Sequence, residues 1–331
     1  MAGAVLTIES PWTTPVLAPF RGAIVTLGNF DGVHRGHQDL LKRARTLAGT
    51  QRKLIAATFD PHPRFLLRPL ETGPPLLALE RKAQKLLAAG ADRVVVFRID
   101  RQFLQLSAQK FFDDIIVGVL GASFLVEGTN FCFGKAREGT VHLLGSMCER
   151  SGIGLSLHDG ICEQGEWVST SRIREKIEKG DVEGAEAMLG SPVELTGKVA
   201  HGARRGRTIG FPTANLEVAG QLVPAHGVYA AQAVLDDGRV FAAAVNVGPN
   251  PTFGELAVKI EAYLIGFEGD LYGQSIRLEF RERLRELCAF ASVGALKEQL
   301  QKDVARAAAR FAGQIPNHFA SAAKNREELP S

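Results

Sequence analysis

Five apolar runs of strand length alternate with helix-period segments through the first half of the chain, and this alternation restricts the fold more than any other feature. The runs are AIVTL (23–27), LIAATF (54–59), RVVVFRI (93–99), SFLVEG (123–128) and IGLSLHD (153–159). Between them lie helical patterns over His37–Ala48, LERKAQKLLAAG (79–90), SAQKFFDDIIVGVLG (107–121) and His142–Arg150. The strand runs are largely continuous in apolar character rather than alternating, so both of their faces are buried. That predicts an α/β unit, a doubly wound parallel sheet with helices outside it, which binds ligands at the carboxyl ends of its strands.

The texture changes after Ser169. The segment TSRIREKIEKGDVEGAEAMLG (170–190) reads as helical and ends at Gly190-Ser191-Pro192, the punctuation of a domain boundary. Beyond it, GVYAAQAVL (227–235) and RVFAAAVNVG (239–248) flank the turn Asp236-Asp237-Gly238. IEAYLIGF (260–267) and SIRLEFRERL (275–284) follow, separated by GDLYG. Strands without intervening helices predict an antiparallel sheet or small β-barrel, closed by a terminal helix over Val293–Phe311. The 331 residues therefore divide into domains at 1–190 and 191–315, with a poorly ordered tail at 316–331.

Charge excludes some function classes. The net charge is +3, from 39 basic and 36 acidic side chains, which suggests neither nucleic acid nor membrane as partner and leaves room for local phosphate sites; small-molecule substrates are expected. Self-association is left open. Cys132, Cys148, Cys162 and Cys288 form no C-x-x-C pair, which argues against structural zinc and disulfides and for a reducing, cytoplasmic setting. The N-terminal residues lack the pattern of a secretory leader, and the stretch Ile115–Val126 is too short and interrupted to span a bilayer.

The decapeptide GNFDGVHRGH (28–37) carries the first strand into the first helix. Gly28, Gly32 and Gly36 let the backbone approach a ligand, and the helix start offers unpaired N–H groups to an anion. His34 and His37, three apart, project from one face and can donate to phosphate oxygens as charge develops on them. No G-x-x-x-x-G-K-[ST] or G-x-G-x-x-G competes with this reading, and a metal site would need a further ligand. A turn with capping glycines and two surface histidines is the plainer alternative. A second such stretch is GKVAHGARRGRTIGFPTAN (197–215), where Thr213 and Asn215 offer hard oxygen ligands on one side of an extended segment, suited to Mg²⁺. Its alternative is a basic loop entering a turn. Glu261, alternating with Lys259, reads from its local pattern as an outward-facing strand residue.

These residues carry a resemblance. H-R-G-H within G-N-F-D-G-V-H is similar to the H-x-G-H signature of nucleotidylyltransferases, and the longer string resembles the bacterial bifunctional riboflavin kinase/FAD synthetases. TFDPHPR (58–64), EGTNFCFGKAREG (127–139) and VSTSRIR (168–174) resemble further segments of that family in order. So do GFPTAN, PAHGVY, NVGPNPTF, IEAYL and DLYG in the second half. Here Ser-Thr-Ser stands where the family usually has Ser-Ser-Thr, and Ile265-Gly266 follows Leu264 where it often has an acid.

The resemblance implies an N-terminal nucleotidylyltransferase domain and a C-terminal flavokinase barrel. It implies ATP phosphates at Gly28, Phe30, Asp31, Gly32, His34, Gly36 and His37, and at Ser169, Thr170, Ser171 and Arg172. It places flavin at Asp60, His62, Pro63 and Asn130, with Asn130 also near ATP. In the second domain it implies nucleotide at Gly202, Gly210, Thr213 and Asn215, Mg²⁺ at Thr213 and Asn215, and Glu261 as base toward the riboflavin 5′-hydroxyl. The implied activity is phosphorylation of riboflavin to FMN followed by adenylylation of FMN to FAD, each from ATP. Activity of one module alone, or a flavin-binding regulator without catalysis, are the alternatives.

Overall fold

The computed structural model describes residues 4–16, 18–69, 73–163, 165–201, 206, 209–250 and 255–313. The segment expected to be a loose tail, 316–331, lies outside them. The chain forms two compact units, one ending at Thr170 and the other starting at Ser171. The expected boundary at residues 190/191 differs from this division by two helices, α6 (Thr170–Glu178) and α7 (Val182–Leu189). α7 packs within the second unit, where Glu186 pairs with Arg281.

In the first unit, β1 (Val5–Ile8), β2 (Ile24–Leu27), β3 (Leu54–Asp60), β4 (Arg93–Arg98), β5 (Phe124–Gly128) and β6 (Gly154–His158) form one parallel sheet in the order β1-β4-β3-β2-β5-β6. Strand alternation assigns the two faces. Val25, Ile55, Val95 and Phe97 join one apolar cluster with Phe112, Ile115, Ile116 and Leu144. Ile24, Leu54, Val94 and Val96 join the other, with Leu40, Leu41, Ala44 and Leu86. The first cluster is covered by the helical segment α4 (Ala108–Val119), whose part from Phe111 is wound as a π-helix, and by α5 (Val141–Arg150). The second is covered by α1 (Arg35–Ala48) and α3 (Leu79–Ala88). Each of these buried aliphatic side chains contributes about 1.5–3 kcal/mol of transfer free energy. That two-sided burial is why the strand runs are unbroken. β1 is an edge strand that the sequence pattern did not signal.

The strand order reverses between β2 and β5, with β3, β4 and β1 on one side and β6 on the other. The decapeptide begins at this switch point, at the carboxyl ends of the strands, which is where open parallel sheets bind their ligands.

The expected long helix after Ser169 is broken in two. Gly180 takes φ +79°, and the Asp181 side chain accepts from the Gly184 N–H to cap α7. Six antiparallel strands then close a barrel in the order β10-β13-β12-β11-β14-β9. They are β9 (Val193–Ala200), β10 (Ala214–Glu217), β11 (Gly227–Leu235), β12 (Val240–Asn250), β13 (Glu255–Leu264) and β14 (Ser275–Arg285). The terminal helix α8 (Val293–Arg310) lays Ala307, with Phe311 just beyond it, on Val228, Ala230, Ala242, Ile265 and Leu284 of the barrel's outer face. A short hairpin, β7 (Cys162–Glu163) with β8 (Glu166–Trp167), completes the elements.

Candidate active sites

Leaving β2, the chain turns through left-handed backbone at Phe30 (φ 49°), Gly32 (φ 80°) and Val33 (φ 44°) before entering α1. A non-glycine residue rarely adopts this region, and two of them within four positions are held only by firm packing. Phe30 supplies it, being buried against the edge of the His37 ring at 5.2 Å. The Asp31 carboxylate, also buried, accepts from the Leu76 N–H at 2.8 Å.

His34 is the N-cap of α1, and its Nδ1 accepts from the His37 N–H at 3.4 Å. The proton of a neutral His34 ring therefore lies on Nε2. The two imidazoles stack at 3.6 Å with planes 16° apart. His34 is only 6% exposed, so the reading of two surface histidines does not hold. Burial lowers the His34 pKa to about 4; burial, then the charges of His34 and Lys82, hold His37 well below the ordinary value. His37 Nδ1 is buried with no hydrogen-bond partner among the described residues.

Around this helix start the fold gathers most of the other expected residues of the first unit. Gly28 follows β2 and donates to the Ala57 carbonyl. Asp60 ends β3 and pairs with Arg98. His62 caps α2 (Pro63–Leu67) by accepting from the Arg64 N–H at 3.0 Å, with Pro63 at the first helical position. Asn130 follows β5 and is exposed. Thr170 donates its hydroxyl to the Asp31 carbonyl at 3.4 Å, next to half-buried Ser169. Ser171 and Arg172 are exposed on the first turn of α6, in the second unit.

Two side chains here escaped the sequence reading. Glu127, 1% exposed at the end of β5, accepts from the Leu27 N–H at 2.7 Å and so ties β5 to β2 at the switch point; burial raises its pKa well above the carboxylate range. Lys82 of α3 is 9% exposed and reaches the ends of β2 and β3. A buried lysine on an amphipathic helix resembles a solvated one until the helix is placed, so no signal in the sequence marks it.

The barrel assembles a second group. Asn215 stands opposite Glu261, and Glu261 opposite Asn246, in the registers of β10, β13 and β12. Opposed residues of antiparallel strands share a face with Cβ atoms about 4.5–5.5 Å apart. Asn215, Glu261 and Asn246 thus form one polar row, half-buried on the outer face. Thr213, half-buried, immediately precedes β10. Phe211 N–H donates to the Gly206 carbonyl at 2.8 Å, and the Phe211 ring meets Tyr263 edge-on at 5.5 Å, two residues beyond Glu261. Gly210 is exposed with φ +89°. Gly202 lies outside the described residues. Asn246 was not singled out from the sequence, because only strand register reveals its neighbour.

A phosphate-type loop at a parallel-sheet switch point, joined in one chain to a barrel with a carboxylate beside amide and hydroxyl oxygens, defines a two-module nucleotide-handling enzyme. A family model described as FAD synthetase matches residues 18–172, and one described as riboflavin kinase matches residues 189–311. The bifunctional riboflavin kinase/FMN adenylyltransferase of Escherichia coli (strain K12) is 36% identical over 288 residues, covering 86% of this chain and 92% of that protein. The protein of the same name from Bacillus subtilis (strain 168) is 36% identical over 287 residues, covering 85% and 90%. A crystal structure described as a macrolide-efflux protein from Streptococcus pneumoniae aligns with a TM-score of 0.82 at 30% identity, covering 91% of this chain and 98% of that one. The chain belongs to the bifunctional riboflavin kinase/FMN adenylyltransferase family. No helix of the described residues is long and apolar enough to cross a membrane.

Proposed function

We propose that this chain phosphorylates riboflavin to FMN at its barrel and adenylylates FMN to FAD at its parallel sheet, both from ATP. The observation that carries this reading is the presence, in each matched region, of its own polar cluster: the stacked His34–His37 pair and the Asn215–Glu261–Asn246 row.

At the barrel, Glu261 accepts the proton of the riboflavin 5′-hydroxyl as that oxygen attacks the γ-phosphorus of ATP, and ADP departs. Thr213 and Asn215 fit Mg²⁺, since hydroxyl and amide oxygens are hard donors of the kind it takes while sharing the substrate's phosphates. When bound, the ion neutralises phosphate charge. At the sheet, an FMN phosphate oxygen attacks the α-phosphorus of ATP and pyrophosphate leaves. Neutral His34 and His37 donate to the phosphate oxygens that gain charge, and the N–H groups opening α1 assist. The hydroxyls of Ser169–Ser171 and the Arg172 guanidinium take the departing pyrophosphate. Asp60, His62, Pro63 and Asn130 hold the flavin. Domain limits at 1–190 and 191–315 and a cytoplasmic location belong to the same proposal; four free cysteines support the latter.

The test is chromatography of flavins after incubating the protein with riboflavin, ATP and Mg²⁺. FMN appearing first and FAD after it is the expected result. No turnover of riboflavin or of supplied FMN would overturn the reading.

A further inference from the structure

Lys82 is a cation in an expensive place. Its ammonium donates to the Thr58 hydroxyl at 3.1 Å, the Asn29 carbonyl at 3.2 Å and the Phe59 carbonyl at 3.4 Å. All three acceptors are neutral, and no carboxylate lies within salt-bridge distance of it among the described residues. Thr58 in turn donates to the Asn29 carbonyl at 3.1 Å. A buried charge whose hydrogen bonds all go to neutral dipoles costs free energy that a lysine at the surface would avoid. Its position suggests what offsets that cost. Asn29 opens the loop that carries His34 and His37, and Thr58 and Phe59 end the neighbouring strand, so the ammonium underlies the site proposed to receive two phosphorylated substrates.

We infer that Lys82 is a positioning residue of the adenylyl-transfer site: it fastens the loop after β2 to the end of β3 and supplies the fixed positive charge beneath the substrate phosphates. The inference rests on the adenylylation proposed above. The surrounding electrostatics agree with it. Asp31 on the loop and Asp60 at the end of β3 favour the ammonium, burial opposes it more strongly, and the Lys82 charge joins His34 in disfavouring protonation of His37. Lys82 thereby helps keep His37 neutral when phosphate arrives. None of its three donors needs to leave the protein for this to work.

The experiment compares Lys82→Met, which removes the charge at similar length, with Thr58→Val, which loosens the same fastening and keeps the charge. Dissociation constants for ATP, kcat and KM for FAD formation from supplied FMN, and the pH profile of that reaction are measured on each full-length chain. FMN formation from riboflavin serves as the control on the same polypeptide. Lys82→Met is expected to weaken ATP binding at least tenfold, and to move the acidic limb of FAD formation to higher pH as His37 regains basicity. Thr58→Val is expected to leave the acidic limb where it was, and both variants to keep FMN formation. Equal behaviour of the two variants, or ATP affinity within twofold of wild type in folded Lys82→Met, would overturn the inference. Should Lys82→Met fail to fold, the slowly exchanging ammonium signal of Lys82 in ¹⁵N-lysine-labelled wild type decides. It is expected to shift on adding ATP and not on adding riboflavin, and no shift with ATP refutes the role. Wild type that makes no FAD would instead sink the adenylylation reading itself.

Discussion

The rings of His34 and His37 lie parallel, 3.6 Å apart, while the Nδ1 of the first caps the helix that holds the second. Burial of the His34 ring opposes its protonation and lowers its pKa from 6.5 to about 4. The folded chain therefore binds fewer protons than the unfolded chain between those values. Stability present above pH 6.5 is lost as pH falls through 4, and His34 alone accounts for about 3 kcal/mol of it. His34→Asn keeps a side-chain acceptor at the N-cap and removes the titration. Thermal unfolding of this variant should depend less on pH between 7 and 4.5 than wild type does, the remaining dependence coming from buried His37.

His37 lies in the first turn of α1, with its Nδ1 buried and no protein partner among the described residues. Loss of a donor to developing phosphate charge costs about 10²–10³ in kcat. His37→Ala is accordingly expected to lower FAD formation by that factor and leave FMN formation from riboflavin within twofold. Parallel loss of both activities in a folded variant would mean that the two reactions do not use separate sites.

Glu261 has Asn215 on one flank and Asn246 on the other in the barrel's strand registers. Glu261→Gln preserves shape and hydrogen-bonding capacity but cannot take up the hydroxyl proton. FMN formation should fall about 10²–10⁴-fold, the usual contribution of a general base, while FAD formation from supplied FMN persists. Asn246→Ala, removing only a neighbour of the base, should cost less than Glu261→Gln in the same assay of ADP release.

The sequence exposed the elements whose signal is periodic and hid those whose role depends on pairing. Unbroken runs at 54–59 and 93–99 mark strands buried on both faces, and β3 and β4 are found there. β1 has four residues at a sheet edge, two of them exposed, too little apolar pattern to stand out. Gly180 and Asp181 hold a turn and a cap that a helical reading of 170–190 absorbs. Within the sites, His34, His37, Asn215 and Glu261 belong to local motifs and were legible. Lys82 belongs to no such motif, and Glu127 and Asn246 open the segments EGTNFCFGKAREG and NVGPNPTF without being marked out within them, because burial and cross-strand register arise only when distant segments meet.

Glu127 makes that point in energetic terms. Its carboxyl group is buried where β5 meets β2, accepts the Leu27 N–H, and has its pKa raised well above the usual value by desolvation. The stability it confers when protonated is complete below its ordinary pKa and is lost as pH rises toward the folded value. Glu127→Gln retains the acceptor and cannot ionise. Across pH 5 to 8 the difference in melting temperature between variant and wild type should move steadily in favour of the variant. A constant difference would show that the group binds the same number of protons folded and unfolded over this range, so that its pKa is not raised in the fold.

The terminal helix α8 is fastened to the barrel by one buried ion pair whose value depends on having both partners. Asp303, 1% exposed, accepts from Arg285 Nε and Nη2 at 2.8–3.1 Å and from Gln299 at 2.8 Å. Arg285 lies in β14, directly opposite Val228, which α8 covers. Removing one member of such a pair strands a desolvated charge and costs about 3–5 kcal/mol, whereas replacing both by apolar groups is often neutral. Asp303→Ala should therefore destabilise the barrel by that amount and depress FMN formation, read by chemical denaturation and flavin chromatography. Arg285→Met combined with Asp303→Leu should recover most of the stability. If the double variant is no more stable than Asp303→Ala, the pair contributes geometry that packing cannot replace, and α8 is held by the ions rather than by Ala307 and Phe311.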